Sequence, residues 1–503
     1  MKATIRASIT GKSTVGVCQL LEQRAAQSGG PNGRDIDPSK RLRALLDECE
    51  KECRGDAVPF SQVAGRLSCD LVREALELLN TAGLADAEDA LWEVCSQLED
   101  ALKLRGQKKF DDRARDIHDL CQALIRRMRG QSCSDTWTQQ TVLVSCQIPL
   151  PDALEAARKG IAAVIVREYN PFSHAAIILR AANITVAAGV DNFLALSEGA
   201  YVALDARNQR LLLEPTEAEA RCFREASTME AVRESGQEVP LKDGTILRLS
   251  FNCMGSFEAL PCQANIGLLR TEFFCIALGR LPSEAEMIAE YAAVVERYRS
   301  VTIRLFDFGG DKSPDATMRV EGRGIRYLLT HREVLKAQLR AILRVASRGD
   351  VRILLPMVSS VGEVVQVRRL AAACQQELED EGVRMSSLPP VGAMIETPAA
   401  AIIADQLSEV VDFASIGTND LCAATMGIRR EELREIEVFP EPLSRLIVHA
   451  LREMRARQKP VTACGNLSST PEGVMLFTDN GLREICIDAQ CEQNIRKIIM
   501  NKI

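Results

Sequence analysis

From residue 240 onward, short apolar runs alternate with helical segments, and the number of those runs limits the fold. They are ILRLSFN (246–252), IGLLR (266–270), VTIRLFD (301–307), RILLPM (352–357), VGAMIE (391–396), VDFASIG (411–417), VTAC (461–464) and EICID (484–488). Eight such strands alternating with helices in about 260 residues is the arithmetic of a (β/α)8 TIM barrel. That fold builds its active site at the C-terminal ends of the strands. The last residue of each run, and the loop after it, is therefore where chemistry is expected.

The sequence before residue 240 reads differently. Residues 1–25 suggest one strand that pairs elsewhere, and SGGPNGRDIDPS (28–39) is a break rich in Gly and Pro. RLRALLDECEKE, LVREALELLNTAG, AEDALWEVCSQLEDALKL and RARDIHDLCQALIRRMRG place apolar residues at three-and-four spacing, predicting four amphipathic helices. After a polar linker at 131–140, TVLVSC, IAAVIV and ITVAAG predict strands separated by the helices LPDALEAARKG and SHAAIILRAAN. YVALDARNQRLLLEP predicts a hairpin around 206–209, and TEAEARCFREASTMEAVRE a charged connecting helix. The expected fold class is multidomain α/β, with segments 1–25 (a strand of the small α/β domain), 26–132 (helical), 133–215 (small α/β domain), 216–239 (linker helix) and 240–503 (barrel).

Composition excludes several classes. The net charge of −7, from 62 basic and 69 acidic residues, offers no electrostatic case for nucleic acid. The longest apolar runs, such as Ile161 to Val166, are too short to span a bilayer, and the N-terminal MKATIRASITGKSTVG lacks the apolar core of a signal peptide. Seventeen cysteines, an odd and scattered set, point to a reducing, cytoplasmic setting. Cys49 and Cys53 share a helical face, yet no histidine or further cysteine clusters there, so packing explains them better than zinc.

The predicted strand ends carry an unusual set of residues. Arg270 and Glu272 close the second strand, Arg304 and Asp307 the third, and Arg323 and Arg326 follow in the next loop. Glu396 closes the fifth strand, Asn419 and Asp420 follow the sixth with Arg430 beyond, and Cys464 closes the seventh. Arginines grip phosphate and carboxylate through forked hydrogen bonds. Glu396 and Asp420 are hard oxygen donors suited to Mg2+ beside a phosphate. Any one Arg–Glu pair is more often a surface ion pair than a site, but such groups at successive strand ends favour a small, multiply anionic substrate. Cys464, next to Gly465, is a candidate acid or nucleophile. GGDK (309–312) reads as a tight turn. His174 follows Ser173, a good N-cap, which places it at a helix start where phosphate is welcome and an imidazole can act as nucleophile. His118, His331 and His449 read as structural.

These motifs resemble the phosphoenolpyruvate (PEP)-utilising family, and within it the enzyme I branch of bacterial phosphotransferase systems. IGLLRTEF, DFGGDK, IETPAA, SIGTNDL and ACG in this order carry the resemblance, which is strongest from Ile266 to Gly465. It implies a PEP-binding TIM barrel, a swivelling phosphohistidine domain, and an N-terminal helical domain that docks an HPr-like phosphocarrier protein. It implies His174 as phosphoryl acceptor and Cys464 as proton donor to enolpyruvate. Arg270, Arg304, Arg323, Asn419, Asp420 and Arg430 become substrate-binding residues, Glu396 and Asp420 ligands of Mg2+. A homodimer through the barrel, cytoplasmic location and sugar transport follow from the same resemblance, with no nucleic acid or membrane insertion.

The sequence also departs from the family. YNPFSH replaces a Gly-Gly-Arg-Thr-Ser-His type loop, so Pro171 and Phe172 stand beside the nucleophile. Gly465-Asn466 replaces Gly-Glu, the stretch between Lys312 and Arg323 is short, and Ile503 follows the eighth strand closely, which reads as shortened closing helices. Two functions are therefore expected to compete: an active phosphotransferase, and a PEP- or carrier-binding regulator with weakened transfer. A PEP-using small-molecule enzyme is a third.

Overall fold

The computed structural model describes residues 4–6, 8–10, 14–21, 37–55, 59–82, 86–103, 108–129, 136–169, 173–182, 184–190, 196–205, 210–221, 238–256, 260–261, 263–278, 280–308, 322–383, 387–428 and 440–502. The chain divides into two compact units, Met1–Glu234 and Ser235–Ile503.

The second unit is a closed barrel. Strands β10 (Ile246–Cys253), β11 (Asn265–Arg270), β12 (Ser300–Arg304), β13 (Asp350–Leu355), β14 (Val391–Ile395), β15 (Phe413–Gly417), β16 (Val461–Cys464) and β17 (Glu484–Ile487) pair in parallel in chain order, and β17 returns to β10. All eight coincide with the runs expected from sequence. They are nearly continuous apolar segments because a parallel barrel strand is covered on both faces. A short extra strand, β9 (Glu238–Pro240), pairs antiparallel with the start of β10. The main core lies between strands and surrounding helices, with Phe251, Ile303, Tyr291, Leu339, Val367 and Leu451 buried in it. After β17 the helix Glu492–Lys502 adds Ile495, Ile498 and Ile499 to that core.

In the first unit one sheet runs β1 (Thr4–Arg6), β8 (Arg210–Leu213), β7 (Tyr201–Asp205), β3 (Thr14–Leu20), β4 (Thr141–Ser145), β5 (Ala163–Val166), β6 (Thr185–Ala188), β2 (Ser8–Thr10). The single strand expected in residues 1–25 is thus three. They were illegible separately because β1 and β2 are three residues each and pair antiparallel with β8 and β6, about 200 residues away in sequence. The stretch 131–140 is more than a polar linker, since Trp137 is buried in the core formed with Leu143, Ala153, Ala175 and Leu179. The four expected helices span Pro38–Gly55, Pro59–Ala82, Ala87–Lys103 and Lys108–Met128, and bury Leu42, Leu71, Leu91 and Leu124. Most of the charged connector after Pro215 lies outside the described residues. Among the described residues no helix is long and apolar enough to cross a membrane.

Candidate active site

A chain of alternating charge runs along the C-terminal end of the barrel. Arg270, the last residue of β11, donates from Nε to Glu272 Oε1 at 3.1 Å. Arg304, the last residue of β12, donates from Nη2 to the same oxygen at 2.5 Å, so one buried carboxylate joins two strand ends. Glu272 opens the helix Glu272–Leu278, where the helix dipole favours an acid. Arg304 Nη2 also lies 3.6 Å from Asp307 Oδ2. Asp307 is fully buried and accepts from Arg323 Nε and Nη2, each at 3.2 Å. The remaining Arg323 nitrogen, Nη1, sits 2.9 Å from Asp420 Oδ1.

Burial works against the charge on Arg304, but Glu272, Asp307 and Glu396 outweigh it and hold the guanidinium more firmly protonated than usual. Burial likewise opposes the charge on Arg323, and Asp307 and Asp420 overcome it. Arg304 Nε is buried without a hydrogen-bond partner among the described residues.

Local sequence explains how Glu396 is presented. Thr397 accepts from Ala400 N–H and caps the helix Pro398–Ile402, with Pro398 at its first position. The IETP sequence therefore stops β14 and turns the chain immediately after the carboxylate. Met357 N–H donates to Glu396 Oε1 at 2.7 Å. Burial, then the negative Asp420 and Asp307, push the Glu396 carboxyl upward, against the pull of Arg304. Gly417 is required by this packing: a Cβ there would lie 2.8 Å from Glu396 Cβ and 3.0 Å from its Oε2.

Cys464 ends β16 among Leu268, Leu354, Met394, Phe413 and Cys486, an apolar setting inside the barrel. Burial pushes its thiol up to about 11, although the Ser415 hydroxyl, 3.7 Å away and donating to Sγ, pulls the other way. The thiol is therefore protonated at neutral pH. Gly465 follows with φ +99°, and a Cβ there would fall 2.4 Å from Thr418 Oγ1. Asn419 Oδ1 accepts from Asn466 N–H at 2.8 Å, tying the start of the helix Thr418–Met426 after β15 to the helical turn Asn466–Ser469 after β16.

The structure thus brings Arg270, Arg304, Arg323, Glu396, Asn419, Asp420 and Cys464 to the strand ends and the segments that follow them on one barrel face, Asn419 and Asp420 in the first turn of the helix Thr418–Met426. Arg430 and GGDK lie outside the described residues. His174 is the first residue of the helix His174–Ala181 in the other unit, and Ser173 Oγ accepts from Ala176 N–H at 3.2 Å, as an N-cap does. From sequence, Glu272 and Asp307 read only as acids near strand ends. Their short spacing from Arg270 and Arg304 was the available signal, but the buried pairing appears only in three dimensions. Ser415 gave no signal at all.

Mg2+ binding usually takes one or two carboxylates plus substrate oxygens, without a full protein cage. Glu396 and Asp420 are hard oxygen donors close enough that each charge disfavours the other, so a divalent cation fits this donor set. Among the described residues no group of three or more His, Cys, Asp or Glu side chains is placed to hold a metal by itself.

This fold and rim define the class as a parallel barrel whose strand ends gather arginines, carboxylates and a protonated thiol. The family model for the PEP-binding domain of PEP-utilising enzymes matches residues 237–502, and that for their mobile domain matches 138–209. The chain belongs to the PEP-utilising enzyme family. It is 30% identical over 452 residues to a multiphosphoryl transfer protein of Rhodobacter capsulatus, covering 85% of this chain and 54% of that one. It is 27% identical over 444 residues to multiphosphoryl transfer protein 2 of Escherichia coli (strain K12), covering 83% and 53%. It is 29% identical over 419 residues to the phosphoenolpyruvate-protein phosphotransferase of Haemophilus influenzae, covering 78% and 72%. The chain spans about half the length of the two multiphosphoryl transfer proteins.

Proposed function

We propose that this chain moves the phosphoryl group of PEP onto its own His174 and from there to an HPr-like phosphocarrier protein, the first step of cytoplasmic sugar phosphotransfer. The observation that carries this reading is the charged chain from Arg270 to Asp420 on the barrel face that also holds a protonated Cys464. Arg270, Arg304, Arg323, Arg430 and Asn419 hold the phosphate and carboxylate of PEP, and the unpartnered Arg304 Nε is a ready donor for a substrate oxygen. Glu396 and Asp420 hold Mg2+, which when bound neutralises phosphoryl oxygens during transfer.

The His174 imidazole attacks phosphorus, the new N–P bond forms as the P–O bond to the enol oxygen breaks, and enolpyruvate remains at the barrel. Cys464 gives its proton to the methylene carbon, producing pyruvate, and recovers a proton from solvent. Proton donation needs the thiol form, which its apolar surroundings maintain. The barrel also supports a homodimer in this reading.

The presence of Pro171 and Phe172 just before the nucleophile in sequence, in place of flexible glycines and a small hydroxyl residue, favours a second reading, a PEP- or carrier-binding regulator with weak transfer. Pyruvate formation from PEP and Mg2+ with and without a histidine phosphocarrier separates the readings. The transferase turns over only with the carrier, after a stoichiometric burst. Carrier-independent turnover contradicts it in favour of a small-molecule enzyme, and no pyruvate in either arm favours the regulator.

A further inference from the structure

Arg323 spends all three of its nitrogens on two carboxylates: Nε and Nη2 on Asp307, Nη1 on Asp420. Asp420 is also one of the two carboxylates assigned to Mg2+. A guanidinium nitrogen 2.9 Å from Asp420 Oδ1 takes one of that carboxylate's acceptor positions, and a cation drawn to the same oxygen would be repelled by it. Because Nε and Nη2 are both held by Asp307, loss of Asp420 leaves the Arg323 guanidinium paired.

We propose that Arg323 and a divalent cation compete for Asp420, and that a phosphate in the barrel mouth settles the contest by drawing Nη1 away. Arg323, which contacts the phosphate itself, then couples the two ligands. Phosphate binding frees the metal ligand, and by thermodynamic reciprocity the metal raises phosphate affinity by the same factor. This inference rests on the assignment of Asp420 as a metal ligand. It differs from simple bridging of metal by PEP, because it predicts an effect of Arg323 when no PEP is present. Arg326 serves as a control, since it lies on the same loop-to-helix segment but pairs with Glu363 and Ser359 instead.

The test measures Mn2+ binding by electron paramagnetic resonance in full-length His174→Ala protein, without and with PEP. Without PEP, Arg323→Gln is expected to bind Mn2+ at least about fivefold tighter, the lower end of ordinary couplings. Arg326→Gln is expected to match the parent. Arg323→Lys, which keeps the charge but loses the fork, is expected to fall between, and it supplies the comparison if the glutamine variant folds poorly. PEP is expected to improve Mn2+ binding less in Arg323→Gln than in the parent. Unchanged or weaker Mn2+ binding in both Arg323 variants, or an equal gain in Arg326→Gln, overturns the competition. Mn2+ affinity unaffected by Asp420→Asn overturns the metal assignment itself, and is distinguishable because it concerns Asp420 alone.

Discussion

Glu272 Oε1 accepts a hydrogen bond from Arg304 Nη2 at 2.5 Å, and both side chains are almost wholly excluded from solvent. A buried pair of this kind is costly to break from one side, because the surviving charge keeps its desolvation penalty. Glu272→Gln is therefore expected to lower barrel stability by about 3 kcal/mol, in the range for removing one partner of a buried pair. Urea unfolding checks this. A combined Glu272→Leu, Arg304→Met variant is expected to recover much of the loss while failing to bind PEP.

Gly417 leaves no room for a methyl group beside Glu396. Gly417→Ala is expected to fold and to push the Glu396 carboxylate off its position. A shift of about 1 Å in such a group costs about 100-fold in rate where alignment matters. Steady-state pyruvate formation and circular dichroism together show whether the loss is local.

Cys464→Ser is expected to keep PEP binding and severely slow pyruvate release, because a hydroxyl is a far weaker acid than even a thiol raised to about 11. The Cys464 thiol stays protonated across the neutral range, so under the proposed mechanism its contribution is expected to be flat there and to fall only as pH approaches that value. Stopped-flow pyruvate release against pH checks both. Unchanged turnover in the serine variant returns Cys464 to a packing role.

The barrel was legible because its strands are buried on both faces and so read as bounded apolar runs, as VGAMIE does for β14. The strand-end rule then located Arg270, Arg304, Glu396 and Cys464. Partner choice was not legible. Nothing in the spacing of Arg323 shows that it divides itself between Asp307 and Asp420, which come from separate strand ends. The hydroxyl of Ser415 beside Cys464 depends on the pairing of β15 with β16, which brings Gly417 opposite Cys464.

Asp119, in the helix Lys108–Met128, has its carboxyl pushed up to about 6, first by burial and then by the negative Asp116 and Asp152, against His118 and Arg115. An acid with a raised folded-state value binds its proton more tightly when folded, so stability falls as pH rises from about 4 to about 6. Asp119→Asn is expected to flatten that slope for the first unit. Thermal melts across this interval check it, and an unchanged slope places the effect elsewhere.

The central claim is tested most directly by incubating the protein with 32P-labelled PEP and Mg2+ and reading the label on the chain. The account predicts an acid-labile, base-stable phosphoryl group on the unaltered protein and none on His174→Ala. An unlabelled protein, or equal labelling of His174→Ala, contradicts it.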